Sequence, residues 1–196
     1  MQAENSHLHA YVYSGEMVEF VTSANEFCRF LEQLNELDGR LFIEGSVLLL
    51  SRVYSSVIRI GDTEPVYDDS PLEATVTEMD WNMIDQRISM LLGAHNDYLR
   101  PAGEAEFDRS ELVTQTISED LADIYQELRD FTTIYGRGME ELMNDAAWEL
   151  KERFDEHWGI KLLRSLAELH LLYVNQTDPG MDRKAGEQGD PAEPDT

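Results

Sequence analysis

Residues 118–131 read SEDLADIYQELRDF, in which five carboxylates alternate with apolar and aromatic side chains. The apolar residues of this stretch and its flanks recur every three or four positions, which is the spacing of one face of an α-helix. They are Ile117, Leu121, Ile124, Leu128, Phe131 and Tyr135. The spacing predicts an amphipathic helix from Thr116 to Tyr135, whose apolar face needs other elements to cover it.

Helix geometry divides the five carboxylates into two groups. At about 100° per residue, Glu119, Asp123 and Asp130 point well away from the apolar face, and we expect them to lie in solvent. Asp120 and Glu127 lie on the border of that face. Only these two carboxylates are predicted to reach inward.

The same spacing predicts helices on both sides of this one. They run over Glu16–Leu37, Arg40–Ile60, Thr77–Leu99 and Met139–Trp158, with a further segment that ends near Val174. Arg40–Ile60 is apolar on most faces and is interpreted as a central buried helix, a pair of strands being the alternative. Gly159 either kinks the helical run that begins at Met139 or separates two helices.

Helix start and stop signals and polar loops complete the predicted fold. Thr77 and Asp80 have the spacing of a capping box, which favours a helix start, and Pro101 stops that helix. Polar stretches at 61–76 and 101–111 are predicted loops, and the acidic segment 175–196 is predicted to be a disordered tail. We therefore predict an all-α fold, a single-domain bundle of five or six helices over residues 12–174.

The composition narrows the range of partners. The chain carries 40 acidic against 15 basic residues, and a net charge of -25 opposes binding to nucleic acid or to anionic membranes. The sequence shows neither a signal-peptide pattern nor an apolar run of membrane-spanning length. The single cysteine, Cys28, lies on an apolar helix face and is interpreted as a core residue in a reducing compartment. We expect a cytoplasmic protein, and the charge permits a basic or cationic protein partner.

Two histidines extend the set of inward polar candidates. His95 falls in the apolar stripe of its helix if that helix continues past Gly93, and His170 shares a face with apolar residues of the last helix. With Asp120 and Glu127 they are candidates for a polar pocket between the third, fourth and last predicted helices. The alternative is that each histidine is a neutral core residue with a hydrogen-bond partner.

Sequence motifs for catalysis are missing from the chain. It has no Glu-x-x-His pair of the di-iron bundles, no His-Glu-x-x-His, no glycine-rich phosphate loop and no Gly-x-Ser-x-Gly. We therefore predict no catalytic residue, no metal and no cofactor.

The helix Met139–Trp158 presents a candidate surface for a partner. Its acidic face, opposite the predicted core face, has Trp148 beside it. The candidate residues are Glu141, Asp145, Trp148, Glu149 and Glu152. An exposed tryptophan among carboxylates can anchor a basic protein. The alternatives are that another helix or the tail covers Trp148, or that two copies of the chain bury it in a homo-oligomer.

Four phrases of the sequence carry a family resemblance: VEFVTSANEFCRFLE, LLGAHNDYL, SEDLADIYQELRDF and NDAAWELKERFDEHWGIKLL. The chain resembles, over Val18–Tyr173, a bacterial family named domain of unknown function 5063. The resemblance implies a bacterial, single-domain and largely helical protein. It supplies no reaction, cofactor or catalytic residue.

These observations favour a small acidic cytoplasmic domain that acts in protein interaction or regulation without catalysis. The alternative is a metal-dependent or acid/base enzyme. Its pocket would be formed by His95, Asp120, Glu127 and His170.

Overall fold

The computed structural model describes residues 2–34, 37–67, 73–101 and 112–180, with side chains from residue 7 onward. The helices are α1 Gln2–Val12, α2 Gly15–Glu32, α3 Gly39–Val57, α4 Glu78–Leu92, α5 Ile117–Tyr135, α6 Glu140–Arg153 and α7 Gly159–Val174. A 3-10 turn spans Gly93–His95, a π-helical turn spans Phe154–Trp158, and two strands are β1 Asp97–Pro101 and β2 Leu112–Thr116. The predicted all-α bundle is confirmed, with α1 and a small hairpin added to it.

The helix α5 is the centre of the bundle. It packs against α2, α4, α6 and α7, while α3 packs against α2 and α7 on the outside. Leu121, Ile124 and Leu128 of α5 have no exposed surface. Thr116 accepts a hydrogen bond from the backbone N–H of Glu119 and so begins the helix where the sequence predicts it.

The segment predicted as a central helix or a strand pair is the helix α3. Asp38 accepts a hydrogen bond from the N–H of Leu41 at 2.8 Å and begins it. The helix is not buried on all sides, because Leu41 and Leu48 are 51% and 66% exposed. The expectation of a central buried position is therefore wrong for one face of α3, which forms part of the surface.

The helix α4 begins at the predicted capping box but ends seven residues early. Thr77 and Asp80 exchange hydrogen bonds between side chain and backbone N–H at 3.1 and 3.2 Å. Gly93 then adopts φ 55° and ψ -124°, a conformation that side-chain-bearing residues rarely take, and the helix stops at Leu92. His95 therefore lies outside the helix.

A two-stranded hairpin replaces the predicted end of this helix. The strands β1 and β2 are antiparallel, with Tyr98 paired to Gln115. Successive residues of a strand point to opposite sides, so Tyr98 is 7% exposed while Leu99 is 65% exposed. The two adjacent apolar residues were compatible with a helical stripe, which explains the wrong prediction.

Gly159 marks the change from α6 to α7. The intervening π-helical turn brings the Trp158 indole N–H to the carbonyl of Leu150 at 3.2 Å, and the Trp158 ring meets Phe154 edge-on at 4.6 Å. A Cβ atom at Gly159 would lie 2.5 Å from the carbonyl oxygen of Phe154. The wide turn therefore depends on the missing side chain.

The described chain extends six residues beyond Val174. The N–H of Thr177 donates to the carbonyl of Leu172 at 3.0 Å, and the ring of Pro179 lies against Gly39 at the start of α3. The rest of the predicted tail, residues 181–196, falls outside the described residues. No helix in the described ranges is long and apolar enough to cross a membrane.

We expect Gly159→Ala to destabilise the protein, although alanine is favoured over glycine in a helix by about 1 kcal/mol. The added methyl group must displace the Phe154 carbonyl, and such overpacking costs about 1 to 3 kcal/mol. The free energy of unfolding in urea measures the balance.

The matched control is Gly15→Ala, at the first residue of α2, where no heavy atom lies within 4 Å of an added Cβ. This variant should keep or slightly raise the free energy of unfolding. An equal rise in both variants would show that the π-helical turn tolerates a side chain.

Candidate functional site

Asp120 reaches the core as predicted, but its partner is a tyrosine. The carboxylate is 2% exposed in the first turn of α5 and accepts a hydrogen bond from the hydroxyl of Tyr98 on β1. Burial raises the pKa of the Asp120 carboxyl, while the hydrogen bond from Tyr98 and the charges of Lys161 and Arg164 on α7 act to lower it. Burial and the bond to Asp120 also raise the pKa of the Tyr98 hydroxyl. The hairpin that supplies Tyr98 was not predicted, so this pair was missed.

Glu127 is half-buried and faces α6 near the surface. One of its oxygens accepts a hydrogen bond from the guanidinium of Arg153 at 2.8 Å. Burial is the main cause that raises the pKa of the Glu127 carboxyl, against the lowering effect of Arg153. Asp120 and Glu127 therefore bind different partners on different elements.

The inward position predicted for His170 is wrong. His170 is exposed, and so are Leu163 and Tyr173, which were expected to share its core face. The buried residues of α7 are instead Gly159, Leu162, Ser165 and Leu169. The helix α7 carries apolar residues on more than one side, so the spacing alone did not identify its core face.

The structure does not assemble the predicted polar pocket. His95 is half-buried in the 3-10 turn, His170 faces solvent, and Asp120 and Glu127 are bound to Tyr98 and Arg153. In the described part of the chain, no three or more His, Cys, Asp or Glu side chains are grouped so that they could hold a metal ion.

Two of the three carboxylates expected in solvent are bonded to the protein. Asp123 accepts a hydrogen bond from the indole N–H of Trp81 at 2.8 Å and forms an ion pair with Lys161. Asp130 accepts from the N–H and hydroxyl of Thr75 and from the N–H of Val76, at 2.6 to 2.7 Å. The expectation fails because α4, α7 and the segment before α4 close over this side of α5, which a single-helix projection cannot show. Glu119 is exposed, as predicted.

The predicted partner surface on α6 is largely covered. Asp145, expected in solvent, is 7% exposed and accepts from the N–H groups of Val66 and Tyr67 at 2.7 and 3.1 Å. Its neighbour Asn144 donates to the carbonyl of Glu64 at 2.8 Å. The loop before α4 therefore packs onto the face of α6 that was predicted to lie in solvent.

The remaining residues of that surface are exposed to different degrees. Trp148, Glu141 and Glu149 are half-buried, while Glu152 is exposed. Glu149 forms an ion pair with Arg153 at 3.4 Å. Trp148 is thus only partly available for a contact.

The outer face of α4 carries an apolar row that was not predicted from the sequence. Met79, Met83 and Met90 are 80%, 38% and 61% exposed, and Gln86 lies in the same row. The surface along this row is open and consists of residues of α4 alone, namely Glu78, Met79, Asn82, Met83, Gln86, Arg87 and Met90. The signal in the sequence is the i, i+4, i+7, i+11 spacing of these four positions, opposite the core face. We refer to Met79, Met83, Gln86 and Met90 as the methionine row.

The chain matches the model of the family described as Domain of unknown function (DUF5063) over residues 11–175. The chain belongs to the DUF5063 family. A crystal structure of protein BF1032 from Bacteroides fragilis is similar to the DUF5063 chain, with a TM-score of 0.73 and 32% sequence identity. The similarity covers 82% of this chain and 93% of that protein. No curated protein matches the sequence. The predicted family is confirmed, and the description of the family names no reaction.

We expect Asp120→Asn to change how the stability of the DUF5063 domain depends on pH. The folded chain holds the Asp120 proton more tightly than the unfolded chain. The protonated carboxyl therefore favours folding below its unfolded pKa of about 4, and this contribution is lost as pH rises through the raised folded pKa. Asparagine keeps an acceptor for Tyr98 and does not ionise. The free energy of unfolding of the variant, relative to the native chain, should rise with pH over this window.

Glu119→Gln is the matched control for that titration, because Glu119 is exposed one residue away on the same helix. The change with pH should be smaller for this variant than for Asp120→Asn. Parallel stability curves for Asp120→Asn and the native chain would contradict the role of the buried carboxyl.

Asp130 and Glu119 were both predicted to lie in solvent, but we expect their substitution to have different effects on stability. Asp130→Ala leaves the N–H groups of Thr75 and Val76 without their acceptor. A hydrogen bond to a charged group contributes about 1.5 to 3 kcal/mol to the free energy of unfolding. We expect a loss of about 1 to 3 kcal/mol in the free energy of unfolding. Glu119→Ala should cost less than about 1 kcal/mol, the size of an acidic residue's effect at a helix start. Equal losses would mean that the bonds of Asp130 do not stabilise the fold.

Proposed function

We propose that this DUF5063 domain acts by binding a basic protein in the cytoplasm, without catalysis. The observation that carries the proposal is the methionine row on α4, an exposed apolar surface on a highly charged domain. A free, buried Cys28 is compatible with a reducing compartment.

The chemistry of methionine suits a contact surface. Its side chain is unbranched and polarisable, so it adapts to different partner shapes, and methionines are frequent at such binding surfaces. Three of them in one row expose apolar surface, and burying that surface against a partner is favourable in free energy. This supports a role in binding.

The carboxylates of α5 support the same proposal from the opposite direction. Asp120, Asp123, Glu127 and Asp130 each accept a bond from a neighbouring element of the bundle. Groups bound in this way hold the fold together and have less freedom to bind a substrate. The methionine row, by contrast, is exposed to solvent among the described residues.

The net charge of -25 favours a basic partner. A field of one sign steers an oppositely charged protein toward the surface and rejects partners of like charge. It also opposes self-association, because two copies repel each other. The α6 surface around Trp148 and Glu152 is the alternative contact region, and it shares the same electrostatic preference.

A photo-cross-linking residue tests this proposal in cells that produce the full chain. Met83→p-benzoylphenylalanine places the reactive group within the methionine row. We expect an adduct with a second protein of basic composition, which mass spectrometry identifies. The yield of this adduct should fall when salt is added to fresh extracts before irradiation, because salt screens the attraction between the two proteins.

Leu48→p-benzoylphenylalanine is the matched control, because Leu48 is 66% exposed on the outer face of α3. It should give no such adduct. A third variant, Trp148→p-benzoylphenylalanine, places the reactive group on α6. Adducts from this variant alone would transfer the contact to α6 and remove the observation that carries the proposal. Adducts with the chain itself, or none at any position, would overturn it.

A further inference from the structure

We propose that the cleft between α5 and α6 binds an alkylammonium group, with the ammonium at the carboxylates of its rim and the alkyl stem on its apolar floor. The cleft is separate from the methionine row, so this inference goes beyond the proposed function. It follows from the shape of the cleft, the charges on its rim and the carboxylate oxygens that the fold does not engage.

The cleft has a buried apolar floor and a polar rim. Its volume is about 90 Å³, and residues 73–74 of the segment before α4 line it together with α5 and α6. At roughly 30 Å³ for each water molecule, this volume suits a short unbranched chain rather than a ring system. Four apolar side chains, each at most 3% exposed, form the floor: Phe131 and Ile134 of α5 with Ala146 and Leu150 of α6.

The rim carries more negative than positive charge. Glu127, Asp130 and Glu149 line the cleft together with Arg153. The Arg153 guanidinium is shared between Glu127 at 2.8 Å and Glu149 at 3.4 Å. Among the described residues, Asp130 bonds only to uncharged donors in the segment before α4. One guanidinium therefore serves three carboxylates, and a second cation is favoured at the rim.

The fold engages one oxygen of each rim carboxylate. All three bonds to Asp130 end on Oδ1, and Arg153 pairs with Oε1 of Glu127 and Oε1 of Glu149. The second oxygens of these carboxylates accept no hydrogen bond within the described ranges. An ammonium group, with its three N–H donors, needs acceptors of this kind. The structural bonds of Glu127 and Asp130 therefore leave an oxygen of each for a ligand.

The order of the rim residues along the two helices places two of these carboxylates near each other. The short connection 136–139 joins α5 to α6, which makes the two helices antiparallel neighbours. Glu127 bonds to Arg153 across the cleft. Asp130 lies one turn after Glu127, and Glu149 lies one turn before Arg153. An ammonium group one turn inward from the Glu127–Arg153 pair therefore meets both Asp130 and Glu149.

The lining of the cleft favours an organic cation over a metal ion. No set of three His, Cys, Asp or Glu side chains in the described part of the chain is grouped closely enough to hold a metal ion. The apolar floor excludes water from an alkyl stem, whereas a hydrated metal ion gains nothing from it. Burial raises the pKa of the Glu127 carboxyl, and a bound cation nearby would oppose that shift.

Methyl NMR of the full chain with n-butylammonium chloride tests the proposal. We expect saturable shifts of the Ile134 δ1 methyl signal on the floor, and none at Ile160, which is 48% exposed on α7. Butanol and butyrate share the stem and should bind at least tenfold more weakly. Methylammonium lacks the stem and should bind at least fivefold more weakly. Equal binding of butanol or butyrate would overturn the ammonium contact, and equal binding of methylammonium would overturn the floor contact.

Two variants of α6 separate the cleft from the general charge of the chain. Glu149→Gln and Glu152→Gln each remove one negative charge, but Glu152 is exposed outside the cleft. The dissociation constant of n-butylammonium should rise at least fivefold in Glu149→Gln and change less than twofold in Glu152→Gln. Equal changes would show attraction by net charge alone and overturn the site. If Glu149→Gln fails to fold, the comparison of n-butylammonium with butanol on the native chain gives the same test.

A free amine and a lysine side chain of a partner protein present the same alkylammonium group, and one further ligand distinguishes them. Nα-acetyl-lysine methylamide carries the group on a peptide backbone. If it binds as tightly as n-butylammonium, the cleft takes a lysine of a protein. If it binds at least tenfold more weakly, the cleft takes a free amine. No saturable shift with either ligand would overturn the inference and leave the adducts expected at position 83 untouched, so this inference and the proposed function fail separately.

Discussion

The fold depends on how α5 satisfies the carboxylates that it carries into the bundle. A helix packed on several sides cannot leave its acidic side chains unpaired, because a buried charge without hydrogen bonds costs several kcal/mol. Four of the five acids of α5 are met by other elements: Asp120 by β1, Asp123 by α4 and α7, Glu127 by α6, and Asp130 by the segment before α4. Glu119, the fifth, is exposed. The acidic side chains suggest, from the sequence, that one side of α5 faces solvent. In the structure, they bind the elements around α5 and so help to position them.

Periodic apolar spacing and local start signals predicted most of the helical framework. Thr77 with Asp80 and the limits of α5 are local features, decided by backbone groups a few residues apart, and both were predicted. The β1–β2 hairpin depends on the conformation of Gly93 and on pairing between segments that are distant in sequence. Its two apolar neighbours, Tyr98 and Leu99, fit either a helix or a strand.

The candidate site was less predictable because it depends on what lies opposite each side chain. Asp123 and Asp145 project from the polar sides of their helices, yet α4, α7 and the loop before α4 cover them. The inward direction of Asp120 followed from helix geometry, but the identity of its partner required the hairpin. The methionine row is different, since its spacing is fully visible in the sequence. It was overlooked because the apolar residues of α4 were assigned to the core face alone.

The bond between Trp81 and Asp123 has a consequence for the outer surface of α4. Trp81 holds the inner side of α4 onto α5, while the methionine row lies on the outer side of the same helix. A surface on a helix fixed in this way is preorganised, so the binding that we propose there would not pay for ordering α4. The affinity of the proposed contact would then depend on residues that no partner touches, Asp123 among them.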